Sequence, residues 1–151
     1  MENKTNIKQA LFEACIKAQE KIIANAKEVI EEASESANDY TDTEEEAFDA
    51  YREQLQQRKD MYTTQILAAR NDLDYLRGIN FDMKDVIEEG AVIVTNTQNF
   101  FIAISLGKLE AEGKNFFAIS ISAPIYQVMA GLKAGDSFHF RDRDYKIVEI
   151  F

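Results

Sequence analysis

Ser34-Glu-Ser-Ala-Asn-Asp39-Tyr-Thr-Asp42-Thr-Glu-Glu-Glu46 joins two runs of helical periodicity, and no proline occurs before Pro124. Upstream, Leu11, Cys15, Ala18, Ile22, Val29 and Ala33 recur at spacings of three, four and seven, the seam of a coiled coil. Downstream, Phe48, Leu55, Tyr62, Ala69 and Leu76 recur every seven residues, and Ile66 and Leu73 widen the stripe. The pattern predicts one helix from about Asn6 to about Ala37 and a second from about Thr43 to about Arg77. Asp42 or Thr43 can cap the second helix, and the glutamates after it suit the positive end of the helix dipole. Gly78 is a good stop. Small seam residues (Ala18, Ala26, Ala33, Ala69) let the two helices approach closely. The expected product is an antiparallel coiled-coil hairpin over residues 1–78 with an acidic tip near 38–46. At 1.5 Å per residue, about 30 residues make a rod of roughly 45 Å.

From Ala91 the period changes. Runs 91–95, 100–105, 115–121, 137–140 and 145–151 are rich in Val, Ile, Phe and Tyr and predict strands. Between the third and fourth, Pro124 near a first turn and Gly131 after a last one frame a short helix. Residues 91–151 therefore read as an α+β domain, an antiparallel sheet with one short helix, and residues 79–90 as the hinge between the halves.

Charge is distributed unevenly along the chain. Of the net −10, residues 28–60 hold twelve acids against three bases, while residues 91–151 balance six against six. Acid concentrated at the tip disfavours duplex DNA binding, because like charges repel, and favours a cation or a basic partner surface. No apolar run approaches the roughly 18 residues needed to cross a membrane. Met1-Glu-Asn-Lys-Thr-Asn6 lacks the apolar core of a signal peptide, so the expected location is cytoplasmic. The single Cys15 falls on the apolar face of the first helix and reads as a small buried hydrophobe.

Asp39 and Asp42 are the sharpest chemical candidates. At i and i+3 their carboxylates can face one way, and Mg²⁺ takes oxygen ligands, often one or two carboxylates completed by water or phosphate. Alone, the pair cannot complete a cage; it could complete one supplied by a partner. A solvated acidic turn that caps a helix accounts for the same two residues. Arg52, Lys59, Arg70 and Arg77 fall within about 20° on one helical stripe. That stripe is either a set of ion-pairing cations with stems along the seam or a track for a phosphate backbone. His139 has no second histidine or cysteine near it and reads as structural. No nucleophile elbow, phosphate-binding glycine loop or dinucleotide fingerprint is present, so a self-contained enzyme has little support.

Two segments resemble the Gre family of bacterial transcript-cleavage factors, which join an N-terminal coiled-coil hairpin to a C-terminal FKBP-like domain. The family tip reads close to Gly-Asp-Leu-Ser-Glu-Asn-Ala-Glu-Tyr, and the run here is Asn38-Asp-Tyr-Thr-Asp-Thr-Glu-Glu-Glu46. Asp39 keeps the family Asp, Asp42 stands for its Glu, Thr43 for its Asn and Glu46 for its Tyr. The second segment, Ala123-Pro-Ile-Tyr-Gln-Val-Met-Ala-Gly-Leu-Lys-Ala-Gly-Asp136, follows the family signature without a gap, with Gln127 at a family arginine. Tyr145-Lys-Ile-Val-Glu-Ile150 closes it.

The resemblance implies an accessory factor rather than an enzyme. Its C-terminal domain would dock on RNA polymerase at the secondary channel, with Pro124, Ile125 and Gln127 as docking candidates. Its hairpin would bring Asp39 and Asp42 to a Mg²⁺ shared with the polymerase, so that the polymerase cleaves backtracked RNA near its 3′ end. No metal would be held tightly outside that complex. Divergent members of this kind can occupy the channel and inhibit instead. Two further readings compete: a coiled-coil adaptor unrelated to polymerase, and a prolyl isomerase suggested only by the FKBP-like fold, which does not by itself carry function.

Overall fold

A computed structural model describes the backbone of residues 2–39 and 45–151, and the side chains of residues 3–36 and 48–151. Two long helices open the chain, α1 (Glu2–Asp39) and α2 (Glu45–Gly78). Six strands and a short helix follow: β1 (Val92–Thr95), β2 (Asn99–Ile102), β3 (Gly107–Ala111), β4 (Lys114–Ile119), α3 (Pro124–Met129), β5 (Ser137–Phe140) and β6 (Arg143–Ile150). The α+β class, the helical hairpin and the single short helix are as the sequence predicts.

The chain divides into two compact units. One comprises Met1–Lys17 with Tyr75–Phe151, and the other is Ala18–Asp74. The second consists, among its described residues, of helix alone, so the burial of Ala26, Ala33, Ile66, Ala69 and Leu73 comes from packing of helix on helix. Three of these five are alanines, which suits a close approach. Ile22, expected in the seam, is 38% exposed, while Gln19 is buried in its place.

The first unit is built on one sheet of order β3-β4-β2-β1-β6-β5. The expectation of a purely antiparallel sheet needs correction, because β2 and β4 run parallel, with Phe101 opposite Ala118. The cause is a strand absent from the sequence reading. β3 runs at the sheet edge and returns through a tight turn into β4, which then lies beside β2 in the same direction. Glu112 and Gly113 take φ of 50° and 76°, the pair of positive values that a two-residue hairpin turn of this hand requires. Lys108 and Glu110 are exposed on β3, and such charge discourages pairing of an edge with another chain.

The sheet is buried on both faces at its centre, so β1 and β2 read as continuous apolar runs rather than alternating ones. One face carries Val92, Phe101, Phe116 and Ala118, packed with Ile7, Leu11 and Cys15 of α1 and with Leu76 and Ile79. The other carries Ile93, Phe100, Ile102 and Ile147, packed with Met129 of α3 and with Phe138 and Tyr145. Phe138 and Tyr145 stack with ring centroids 4.8 Å apart.

Residues 79–90, assigned to a hinge from sequence, are tied into this unit. Ile87 donates to Leu132 O and accepts from Gly131 N, and Gly90 donates to Ile102 O at 2.7 Å. A Cβ on Gly90 would lie 2.0 Å from Asn80 O, at a φ of +91°. Only glycine lets the chain close on itself there.

Candidate functional site

α1 ends at Asp39 and α2 begins at Glu45. Asp42 and the side chain of Asp39 therefore lie outside the described residues. Near the connection the described acids Glu28, Glu31, Glu32, Glu35, Asp49 and Glu53 are all exposed. Their summed field is negative and favours a cation. A cavity of about 430 Å³ lies among Glu32, Ala33, Tyr51, Leu55 and Arg58 in the second unit. Among the described residues, no cluster of three or more His, Cys, Asp or Glu is placed to hold a metal ion.

The basic residues of the stripe differ in surroundings. Arg52 is exposed and its guanidinium lies over the Phe48 ring, 5.5 Å from the centroid. Such a contact is worth about 0.5–1 kcal/mol at an exposed site. Lys59 is half-buried, and the two share a shallow cleft with Asp49, Glu53 and Gln56. Arg70 is exposed on the same helix, and Arg77 is exposed within the first unit.

The docking candidates sit on α3. Pro124 occupies the first turn, where its missing N–H costs nothing, and it is exposed. Ile125 is half-buried against the second core cluster. Gln127 is exposed, but its Nε2 donates to Ile121 O at 2.8 Å, so it braces the loop that leads into the helix. Ile121 and Val128 leave apolar surface in solvent at 41% and 42% exposure. Several residues of the C-terminal signature also have a local conformational role. Gly131 and Gly135 take φ of 81° and 95°. Asp136 accepts the Lys133 backbone N–H at 2.9 Å and fixes the turn into β5. The matches at Pro124, Gly131, Gly135 and Asp136 therefore have an explanation in folding alone.

Cys15 is fully buried, and burial pushes its thiol up to about 12, which makes it inert. His139 lies opposite Asp144 across β5 and β6, its Nδ1 2.7 Å from the carboxylate, with both side chains exposed. The pair lies beside the turn of the β5–β6 hairpin.

Two charged features have no counterpart in the sequence reading. Tyr75 donates to Glu89, a bond that pushes the phenol up to about 12, with burial adding to it. Lys8 is 5% exposed and donates to Asp82 O at 2.8 Å. Its place beside Ile7 and Leu11 on the packed side of α1 was the available signal.

No protein-family model matches the chain, and no curated protein matches it. Among solved structures, it is similar to the GreA factor homologue 1 (Gfh1) protein of Thermus thermophilus. The identity is 18% over 93% of this chain and 94% of that one, with a TM-score of 0.36. A second structure, of the transcription factor Gfh1, is 17% identical over 93% of each chain, with a TM-score of 0.35. No described helix is long and apolar enough to cross a membrane.

Proposed function

We propose that this protein is a Gre-type accessory factor of bacterial RNA polymerase, which presents the acidic connection between α1 and α2 to the polymerase active centre. The observation that supports it most is a combination within one chain. A two-helix unit with its acid gathered at the connection is joined to a sheet unit carrying the Ala123–Asp136 signature in and after α3.

Asp39 and Asp42 would hold Mg²⁺ together with polymerase groups. Two carboxylates supply the hard oxygen donors Mg²⁺ takes, and too few of them to hold it alone. When bound, the ion would make a water nucleophilic near neutral pH and offset charge on the phosphodiester. The chain's own part is to bring those carboxylates in on stiff helices and to keep the field there negative. The polymerase remains the enzyme. Arg52, Lys59, Arg70 and Arg77 would line the approach of the RNA, and Pro124, Ile125 and Gln127 would meet the polymerase.

A second reading rests on the departures at the tip. Asp42 is one methylene shorter than the family glutamate, and Thr43 and Glu46 replace an amide and a phenol. A carboxylate withdrawn by about 1.5 Å suits a factor that binds the polymerase without promoting cleavage, since a misplacement of about 1 Å can cost 10²-fold. Binding to purified bacterial polymerase, measured by fluorescence anisotropy and by competition with a Gre factor, tests what both readings share. Competitive binding supports them. The absence of binding removes both and leaves a coiled-coil adaptor.

A further inference from the structure

Beside α1 in the first unit is a cavity of about 360 Å³, whose lining includes Lys8, Gln9, Phe12, Phe81, Asp82 and Met83. That volume lies within the roughly 300–1,000 Å³ typical of small-molecule sites. Its aromatic wall is packed onto the core: Phe12 meets Phe81 edge to face at 5.2 Å, and Phe81 stacks on the core residue Phe101 at 5.5 Å. Met83 stands at the rim, half exposed.

Lys8 gives this cavity its chemistry. It is the one lysine among those described that is buried, and among the described residues no carboxylate lies within ion-pair distance of its Nζ. Its polar partner is a neutral backbone carbonyl, Asp82 O. A neutral amine can make that bond too, though more weakly than an ammonium. It donates one N–H to the carbonyl and keeps its lone pair. The charged groups facing it come from residues 82–88. Lys84 opposes its proton, Asp82 and Glu88 favour it, and burial outweighs them all, bringing Lys8 down to about 8. Lys84 is itself bridged to Glu88 at 3.4 Å. An amine desolvated in this way is the kind that forms Schiff bases.

We propose that Lys8 and its cavity form a site for reversible covalent capture of a small aromatic aldehyde, independent of the polymerase reading. The Nζ lone pair attacks the carbonyl carbon, and the carbonyl oxygen takes up the proton released from nitrogen. Loss of one water then leaves the imine. No redox partner is needed. The ring of the aldehyde would pack on Phe12 and Phe81.

The test uses the full-length protein, with benzaldehyde as probe, cyanoborohydride to trap the imine and peptide mass spectrometry to place the label. At neutral pH a lysine near 8 is about 10% neutral, against about 0.03% for an ordinary lysine at 10.5. The lower nucleophilicity of the weaker base takes back part of this gain, so Lys8 should be labelled about tenfold ahead of the mean of the other ten lysines. That preference should shrink as pH rises through 8. Formaldehyde, which has no ring, should show a smaller preference for Lys8 than benzaldehyde. Labelling spread over the exposed lysines with Lys8 lagging would overturn the site. An equal preference with both aldehydes would overturn the part assigned to the aromatic cavity.

Discussion

Leu11 and Ile22 belong to one seam in the sequence and to different environments in the structure. Leu11 is fully buried among Leu76, Phe101 and Phe116, whereas Ile22 is 38% exposed in the helical unit. Leu11→Ala deletes a side chain from the face where α1 and the sheet share a core. Such deletions cost about 2–5 kcal/mol, the upper half where packing cannot relax, and an aromatic floor relaxes little. For a chain of 151 residues, about 4 kcal/mol lowers Tm by roughly 8–16 °C. Ile22→Ala removes only a partly buried group, and alanine is the better helix former, so its cost should stay near 1 kcal/mol or below. Urea unfolding followed by circular dichroism, with the tryptophan-free chain read at a helical wavelength, measures both. If the two substitutions cost the same, the first turns of α1 do not belong to the sheet core, and the division of the chain described above is wrong.

Lys8 should make stability rise with pH in one window. Below about 8 both states hold its proton, and between about 8 and 10.5 the folded state has released a proton that the unfolded chain keeps. Urea midpoints should therefore climb across that window, and Lys8→Met should flatten the climb. Gly90→Ala forces a methyl against Asn80 O at a positive φ and should cost on the order of 3 kcal/mol, read as a fall in Tm. Cys15 should resist an aromatic disulfide reagent in the folded protein and react at once in denaturant. Fast reaction under native conditions would show that the core around it opens readily.

The long helices were legible because their seam repeats over many turns, and the match of Phe48, Leu55, Tyr62, Ala69 and Leu76 to one stripe needs no tertiary knowledge. The five apolar strands were legible because each carries a run or an alternation of Val, Ile, Phe or Tyr that packs into the core on at least one face. β3 was not, because an exposed edge strand shows only Leu109 and Ala111 among Gly, Lys and Glu. The parallel pairing of β2 and β4 was lost with it. Heptad spacing also could not show where the seam changes partner. The same stripe serves a sheet at Leu11 and another helix at Ala26, and only three-dimensional packing separates them. The candidate site divides in a similar way. Pro124, Gly131, Gly135 and Asp136 were legible both as local helix and turn signals and by resemblance, and they build the α3 turn and its exit, while Asp39 and Asp42 rest on sequence alone. Lys8 was missed because a lone lysine beside an apolar seam resembles a solvated flank.

A stalled, backtracked bacterial elongation complex, given this protein and Mg²⁺, with the labelled RNA followed on a gel, tests the proposed role of the tip directly. Rapid shortening of the RNA, lost in Asp39→Ala/Asp42→Ala while polymerase binding persists, is the expected result. Shortening that survives the double substitution would contradict the role given to these carboxylates, and binding with no shortening in the unaltered protein would establish the channel-occupying regulator instead.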